Sequence, residues 1–160
     1  MNYLYSQTFD ELIESSDLIA IVETKQNYDE REQKITYHEN DPTHEIKSRW
    51  TVTELEVKKI VKSNDSLLKK GDTVNVNKTF FVDGNNIYPD GEYVPIKKNE
   101  KYLVFLGIHP KTGAYYVLDL NNGRYQLTGK EHVERHGFEL FEEKALKKYE
   151  KAIKESLKEN

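Results

Sequence analysis

Two short blocks of the chain are apolar at every position: Leu18-Ile19-Ala20-Ile21-Val22 and Tyr102-Leu103-Val104-Phe105-Leu106. A strand with one wet face alternates apolar and polar side chains, so an unbroken short apolar run bounded by polar residues reads as a strand buried on both faces. Asp17 to Glu23 and Lys101 to Gly107 are therefore expected to be inner strands of a β-domain.

The rest of the chain fits around them. Trp50 to Lys62 (WTVTELEVKKIVK) is the longest β-rich stretch. Trp50 and Val52 lie on even positions and Leu55 and Val57 on odd ones, a change of phase that predicts a bulge or a strongly bent strand serving two sheets. Gly71-Asp72 turns into TVNVN, where Val74 and Val76 alternate with asparagines. Asp83-Gly84 and Pro89-Asp90-Gly91 mark a loop or a small extra hairpin, and Asn121-Asn122-Gly123 predicts a hairpin turn into RYQL. Thr8-Phe9-Asp10-Glu11 has the pattern of a capping box opening a short helix. From Phe138 the period becomes helical, with Phe138, Phe141, Ala145, Tyr149, Ile153 and Leu157 on one stripe. The expected fold is mainly β: an OB-like, closed or partly open barrel of five to six strands over residues 8–127. A short N-terminal helix and a long C-terminal amphipathic helix, 138–158, dock on it. The 160 residues are read as one domain.

Charged residues make up 32% and the mean hydropathy is -0.83, but 11 Tyr, 6 Phe and Trp50 place the chain outside disordered compositions. A net charge of -4 gives no general attraction to nucleic acid or anionic lipid. The absence of cysteine excludes disulfides, thiolate metal sites and thiol nucleophiles. There is no apolar run of about 18 residues that would serve as a transmembrane segment.

The order SSDLIAIVE, TVTELEVKKIVKSN, KKGDTVNV, EKYLVFLG, GRYQL resembles the netrin-like OB-fold domains, the superfold shared with the tissue inhibitors of metalloproteinases. It is more similar to the bacterial members, many of them lipoproteins of Gram-positive bacteria. The resemblance spans about residues 8 to 127. It implies a non-enzymatic binding module without a cofactor, on the extracytoplasmic face, with a signal peptide and lipid anchor upstream of Met1. Its partner would be a protein or a cell-envelope component. Animal inhibitors of this fold place an N-terminal cysteine on the target's zinc; this chain has none, so that mechanism does not carry over. Lys62-Ser63 also stands where the bacterial pattern often has Lys-Gly.

Few motifs carry chemistry. His132-Val133-Glu134-Arg135-His136 spaces two histidines like a zinc hydrolase, which is the case for a metal-dependent hydrolase. The order H-x-E-x-H matches neither H-E-x-x-H nor H-x-x-E-H. On a helix Glu134 would point about 200° away from both histidines, and Gly137 would end the helix. The segment is read as a solvated polar turn. DGNNIYPDGE clusters possible calcium ligands without EF-hand spacing and is read as a glycine-rich turn. Lys58, Lys59, Lys62, Lys69 and Lys70 could form a basic rim, with Trp50, Tyr102, Tyr115 and Tyr125 as stacking platforms for a cytoplasmic single-stranded nucleic-acid binder. The missing basic excess disfavours that alternative.

OB barrels bind through one sheet face and two loops. Residues 25–48 join the first two long strands, and Ile108 to Gly113 form the other loop. The first is long enough to be functional and has the apolar residues for a hairpin extension. The expected binding rim is Tyr28, Tyr37, His38, His44 and His109. No catalytic residue and no metal ligand is expected.

Overall fold

A computed structural model describes residues 6–37, 46–78, 80–83, 86–88, 93–133, 135 and 138–159. In chain order the elements are α1 (Phe9–Ser15), β1 (Leu18–Glu23), β2 (Glu32–Tyr37), β3 (Ile46–Ser63), β4 (Thr73–Lys78), β5 (Phe81–Asp83) and β6 (Asn86–Tyr88). They continue with β7 (Lys101–Ile108), β8 (Tyr115–Val117), β9 (Arg124–Gln126), α2 (Glu139–Lys148) and α3 (Glu150–Lys158).

Strands β1, β3, β4, β8 and β7 join in that order, and β7 pairs back onto β1 to close a five-stranded barrel. The β4–β8 pairing is parallel and the others are antiparallel. Strands β2 and β9 lie outside the closed ring, on β3 and β7. The fold is the mainly β, OB-like barrel expected. The small hairpin expected around Asp83-Gly84 is β5–β6.

The two all-apolar blocks are β1 and β7, and they pair with each other. Directly opposed residues share a face, so Leu18, Ala20 and Val22 meet Leu106, Val104 and Tyr102 inside the barrel. Leu55, Val57, Val74 and Val76 fill the same interior. Ile19, Ile21, Leu103 and Phe105 point outward and are covered by Phe9 and Leu12 of α1, and by Phe141, Ala145, Tyr149 and Ile153. Both faces are thus dry, which is why neither strand alternates. Phe105 is central to the outer layer: its ring meets Phe9 and Tyr125 edge-on at 5.8 and 5.9 Å and Tyr149 at 6.2 Å.

The N-terminal cap forms as its sequence predicts. The Thr8 hydroxyl accepts from the Glu11 amide, while the Glu11 carboxylate accepts from the Gln7 amide, one residue outside the usual capping box.

Two local expectations are corrected, and the bulge expected in β3 is present but at a different place. In β3, residues 51, 53, 55 and 57 keep one phase opposite Lys78, Val76, Val74 and Val22, with Thr51 and Thr53 as the inward polar members. The apparent switch at Val52 arises because Val52 is buried on the other face. The real register shifts come later: two β3 residues oppose one step of β1 at Lys58 and again at Val61. Asn121-Asn122-Gly123 is not a hairpin turn. Strands β8 and β9 both run antiparallel to β7 along it, so the chain continues in one direction through a 3-10 turn at Leu120–Gly123. Asp119 and Leu120 there take left-handed backbone angles, with φ of 53° and 51°, and Gly123 is required because a Cβ would meet the Leu118 carbonyl oxygen. The C-terminal helical stripe is divided at Tyr149 into α2 and α3. Past that break Ser156 takes the buried position and Leu157 is 43% exposed.

Candidate functional site

One parallel bridge, Val76 to Tyr115, joins β4 to β8. Beside so short a pairing the barrel wall opens into a groove of about 410 Å³ lined by Trp50, Asn77, Lys78, His109, Thr112 and Ala114, with Tyr115, Tyr116 and Val117 as its far wall. It lies on the strand face and loop with which OB barrels bind ligands.

Each lining side chain is placed by a local feature. Trp50 precedes Thr51, which pairs with Lys78 across β3 and β4. Thr51 anchors this end: its hydroxyl donates to the Phe80 carbonyl and reaches Gln33 Oε1 at 3.0 Å. Lys78 Nζ sits 4.8 Å from the Tyr93 ring centre. The 109–113 loop is pinned by hydrogen bonds from His109 N to Ala114 O and from Gly113 N to His109 O, each 2.8 Å. Gly113 supplies the positive φ of 73° that this turn requires. His109 Nδ1 accepts from the Lys111 amide at 3.3 Å, which leaves the Nε2 edge of this exposed ring for a ligand. Tyr116 lies against Gly107 on β7, where any Cβ would come within 2.6 Å of Tyr116 Cζ.

Two electrostatic features stand out. The Trp50 indole Nε1 is shielded from solvent and has no hydrogen-bond partner; such a donor costs about 1–3 kcal/mol when left unmade. Burial, then the charges of Asp65 and Asp17, pushes the Tyr115 phenol pKa up. Among the described residues of the lining there is no carboxylate; the ionisable side chains there are Lys78, His109 and the two tyrosines. This arrangement can stack a ring and satisfy polar groups.

Of the five expected rim residues, His109 is in the groove. Tyr28 is elsewhere: it starts a 3-10 turn at Tyr28–Glu30, its hydroxyl donates to the Pro95 carbonyl at 3.4 Å, and the Arg31 guanidinium lies 4.6 Å from its ring centre. Tyr37 ends β2 and is exposed, outside the groove lining. His38 and His44 fall outside the described residues. The expected hairpin extension within 25–48 is the β2–β3 pairing. Trp50 and Tyr115, considered as stacking platforms, both line the groove; Tyr102 and Tyr125 are buried in the two core layers. The lysines do not form one basic rim. Lys58 pairs with Glu23 and Glu56, Lys59 with Glu155, Lys70 with Glu159, and Lys62 donates to the Ile13 carbonyl.

In HVERH the informative residue is Arg135, not a histidine. Buried Arg135 donates to the Asn121 and Arg124 carbonyls and to Glu142, with its guanidinium 4.6 Å from the Tyr125 ring centre. His132 is exposed in a non-helical stretch, and Glu134, His136 and Gly137 fall outside the described residues. The solvated-turn reading therefore fails at Arg135. Among the described residues no group of three or more His, Asp or Glu is placed to hold a metal ion.

Sequence reasoning also missed a buried ionic plug in the barrel. Fully buried Arg124 forms two hydrogen bonds to Glu131, at 3.1 and 2.6 Å, and lies 5.0 Å from the Tyr102 ring centre. Nearby Tyr93 is buried and its phenol is pushed up to about 12, chiefly by desolvation. No helix among the described residues is long and apolar enough to cross a membrane.

The chain matches no family model, and comparison with curated proteins and with solved structures finds no match to either.

Proposed function

We propose that this protein is a non-enzymatic binding module whose ligand sits in the groove between β4 and β8. The carrying observation is the groove itself, a concavity of about 410 Å³ beside the single β4–β8 bridge with Trp50, Tyr115 and Tyr116 in its lining. Concave sites lined by aromatic side chains with a few polar groups are where small ligands bind, which supports this reading. The netrin-like resemblance in the order of strand motifs supports an extracytoplasmic module tethered by a lipid upstream of Met1, with a cell-envelope component or protein as the source of the ligand. A lipobox cysteine in the gene upstream of Met1 would support that placement, and a cytoplasmic leader-free gene would overturn it.

The groove is tested by nuclear magnetic resonance with a fragment library. Trp50 is the chain's single tryptophan, so its indole N–H gives one isolated resonance. Ligands should shift that resonance together with the amides of residues 76–78 and 109–117. Hits clustering on another surface would refute the assignment. Salt-sensitive binding of an oligonucleotide across the lysines of β3 would instead favour a nucleic-acid module.

A further inference from the structure

We infer that α3 is a strap held shut by charge: it releases from the barrel, hinged at Tyr149, when ionic strength rises, while α2 stays docked. The two helices are fastened in different ways. Helix α2 buries Phe141 and Ala145, and the Phe141 ring meets Phe9 and Phe138 edge-on at 5.9 and 5.2 Å. Tyr149, where α2 ends, has its ring centre 6.2 Å from that of Phe105. Helix α3 buries one large apolar side chain, Ile153, and the small polar Ser156. The Ser156 hydroxyl has no hydrogen-bond partner, so its burial adds nothing to the seat.

Lysines of the barrel do the rest. Lys59 of β3 meets Glu155, and Lys70 meets Glu159, each at 2.6 Å. Lys101, which opens β7, donates to the Ser156 carbonyl at 2.5 Å and to the Glu159 carbonyl at 2.8 Å, placing a cation at the negative end of the helix. All four side chains of the two ion pairs are more than a third exposed, so salt screens them; at 1 M the screening length, about 3 Å, is close to the contact distance itself. The apolar seat of α2 does not depend on charge and is not weakened by screening. A nine-residue helix is marginal in water by itself, so α3 keeps its order only while it is seated. The hinge is local. Tyr149 has φ -106° and ψ 22°, off the helical values, and its ring is held by the core while a single turn links it to Ile153.

The test is hydrogen exchange of the intact chain, read by mass spectrometry in sodium chloride from about 0.02 to about 1 M and corrected for the intrinsic effect of salt. Amides of residues 152–158 should exchange about tenfold faster at the high end, while those of residues 141–148 keep their rate. Lys59→Gln combined with Lys70→Gln should give the fast exchange already at low salt and lose most of the salt response. Lys59→Glu alone should do the same, and adding Glu155→Lys, which exchanges the two partners, should restore protection at low salt. Wild-type protection of 152–158 that is indifferent to salt would overturn the charge latch. Loss of protection in α2 and α3 together would overturn the hinge. An exchanged pair no better protected than Lys59→Glu alone would overturn the assignment of the latch to these side chains.

Discussion

Replacing Glu131 by glutamine should be among the most damaging single changes of a polar residue in this protein. Arg124 has 0% of its side chain exposed and Glu131 8%, so the pair is sealed from water. Burial alone would pull the Arg124 pKa down; the hydrogen bonds it donates to Glu131, then the neighbouring Tyr93, Glu131 and Tyr102, outweigh it and hold the pKa up. Glu131→Gln leaves a guanidinium that cannot shed its proton in a medium that solvates it poorly. Removing one partner of a buried pair costs about 3–5 kcal/mol. Glutamine keeps one acceptor and the Tyr102 ring remains near the charge, so the lower end, about 3 kcal/mol, is expected. For a chain of this size each kcal/mol moves Tm by about 2–4 °C, which gives a fall of roughly 6–12 °C. Urea unfolding and calorimetry read the two quantities separately. The control is Arg124→Met with Glu131→Leu, which removes both charges and should be milder than Glu131→Gln alone. A single mutant within about 1 kcal/mol of wild type, or a double mutant worse than the single, would refute the claim that an uncompensated buried charge dominates.

Three further outcomes follow from the packing. Phe105→Ala removes the ring that touches Phe9, Tyr125 and Tyr149, and should cost about 3–5 kcal/mol in urea unfolding; a loss below about 1 kcal/mol would mean the outer layer is not part of the cooperative unit. Tyr93 has a folded pKa of about 12 against an ordinary value of 10, so the unfolded state ionises first and stability is lost as pH rises from 10 to 12. Tyr93→Phe should flatten that part of the stability–pH curve, and an unchanged slope would sink the assignment. Gly107→Ala places a Cβ against the far end of the flexible Tyr116 side chain. It should leave Tm nearly unchanged while shifting the groove resonances of residues 109–117; global unfolding would show that Tyr116 cannot move aside.

Much of the fold was legible in local pattern. Leu18 to Val22 and Tyr102 to Leu106 announce buried strands because their apolar content is continuous, and the structure covers both faces of each. Thr8 and Glu11 announce a cap because the bonds involved span only a few residues. Phe141, Ala145, Tyr149 and Ile153 announce a docking stripe because helical spacing brings them to one side. Tertiary structure decided the rest. Asn121-Asn122-Gly123 has hairpin composition, but β8 and β9 share one edge of β7, and that register overrides the turn preference. Arg135 fell in a segment read as a solvated turn and Arg124 drew no reading, because nothing local reveals that Glu131, the Asn121 carbonyl, Tyr102 and Tyr125 converge on them. The groove is the extreme case. Trp50, Lys78, His109 and Tyr116 come from four segments, and only barrel closure, with one bridge between β4 and β8, sets them around a common space. Local periodicity encodes which face of an element is dry; it holds no information on which distant faces meet, and a binding site is made of such meetings.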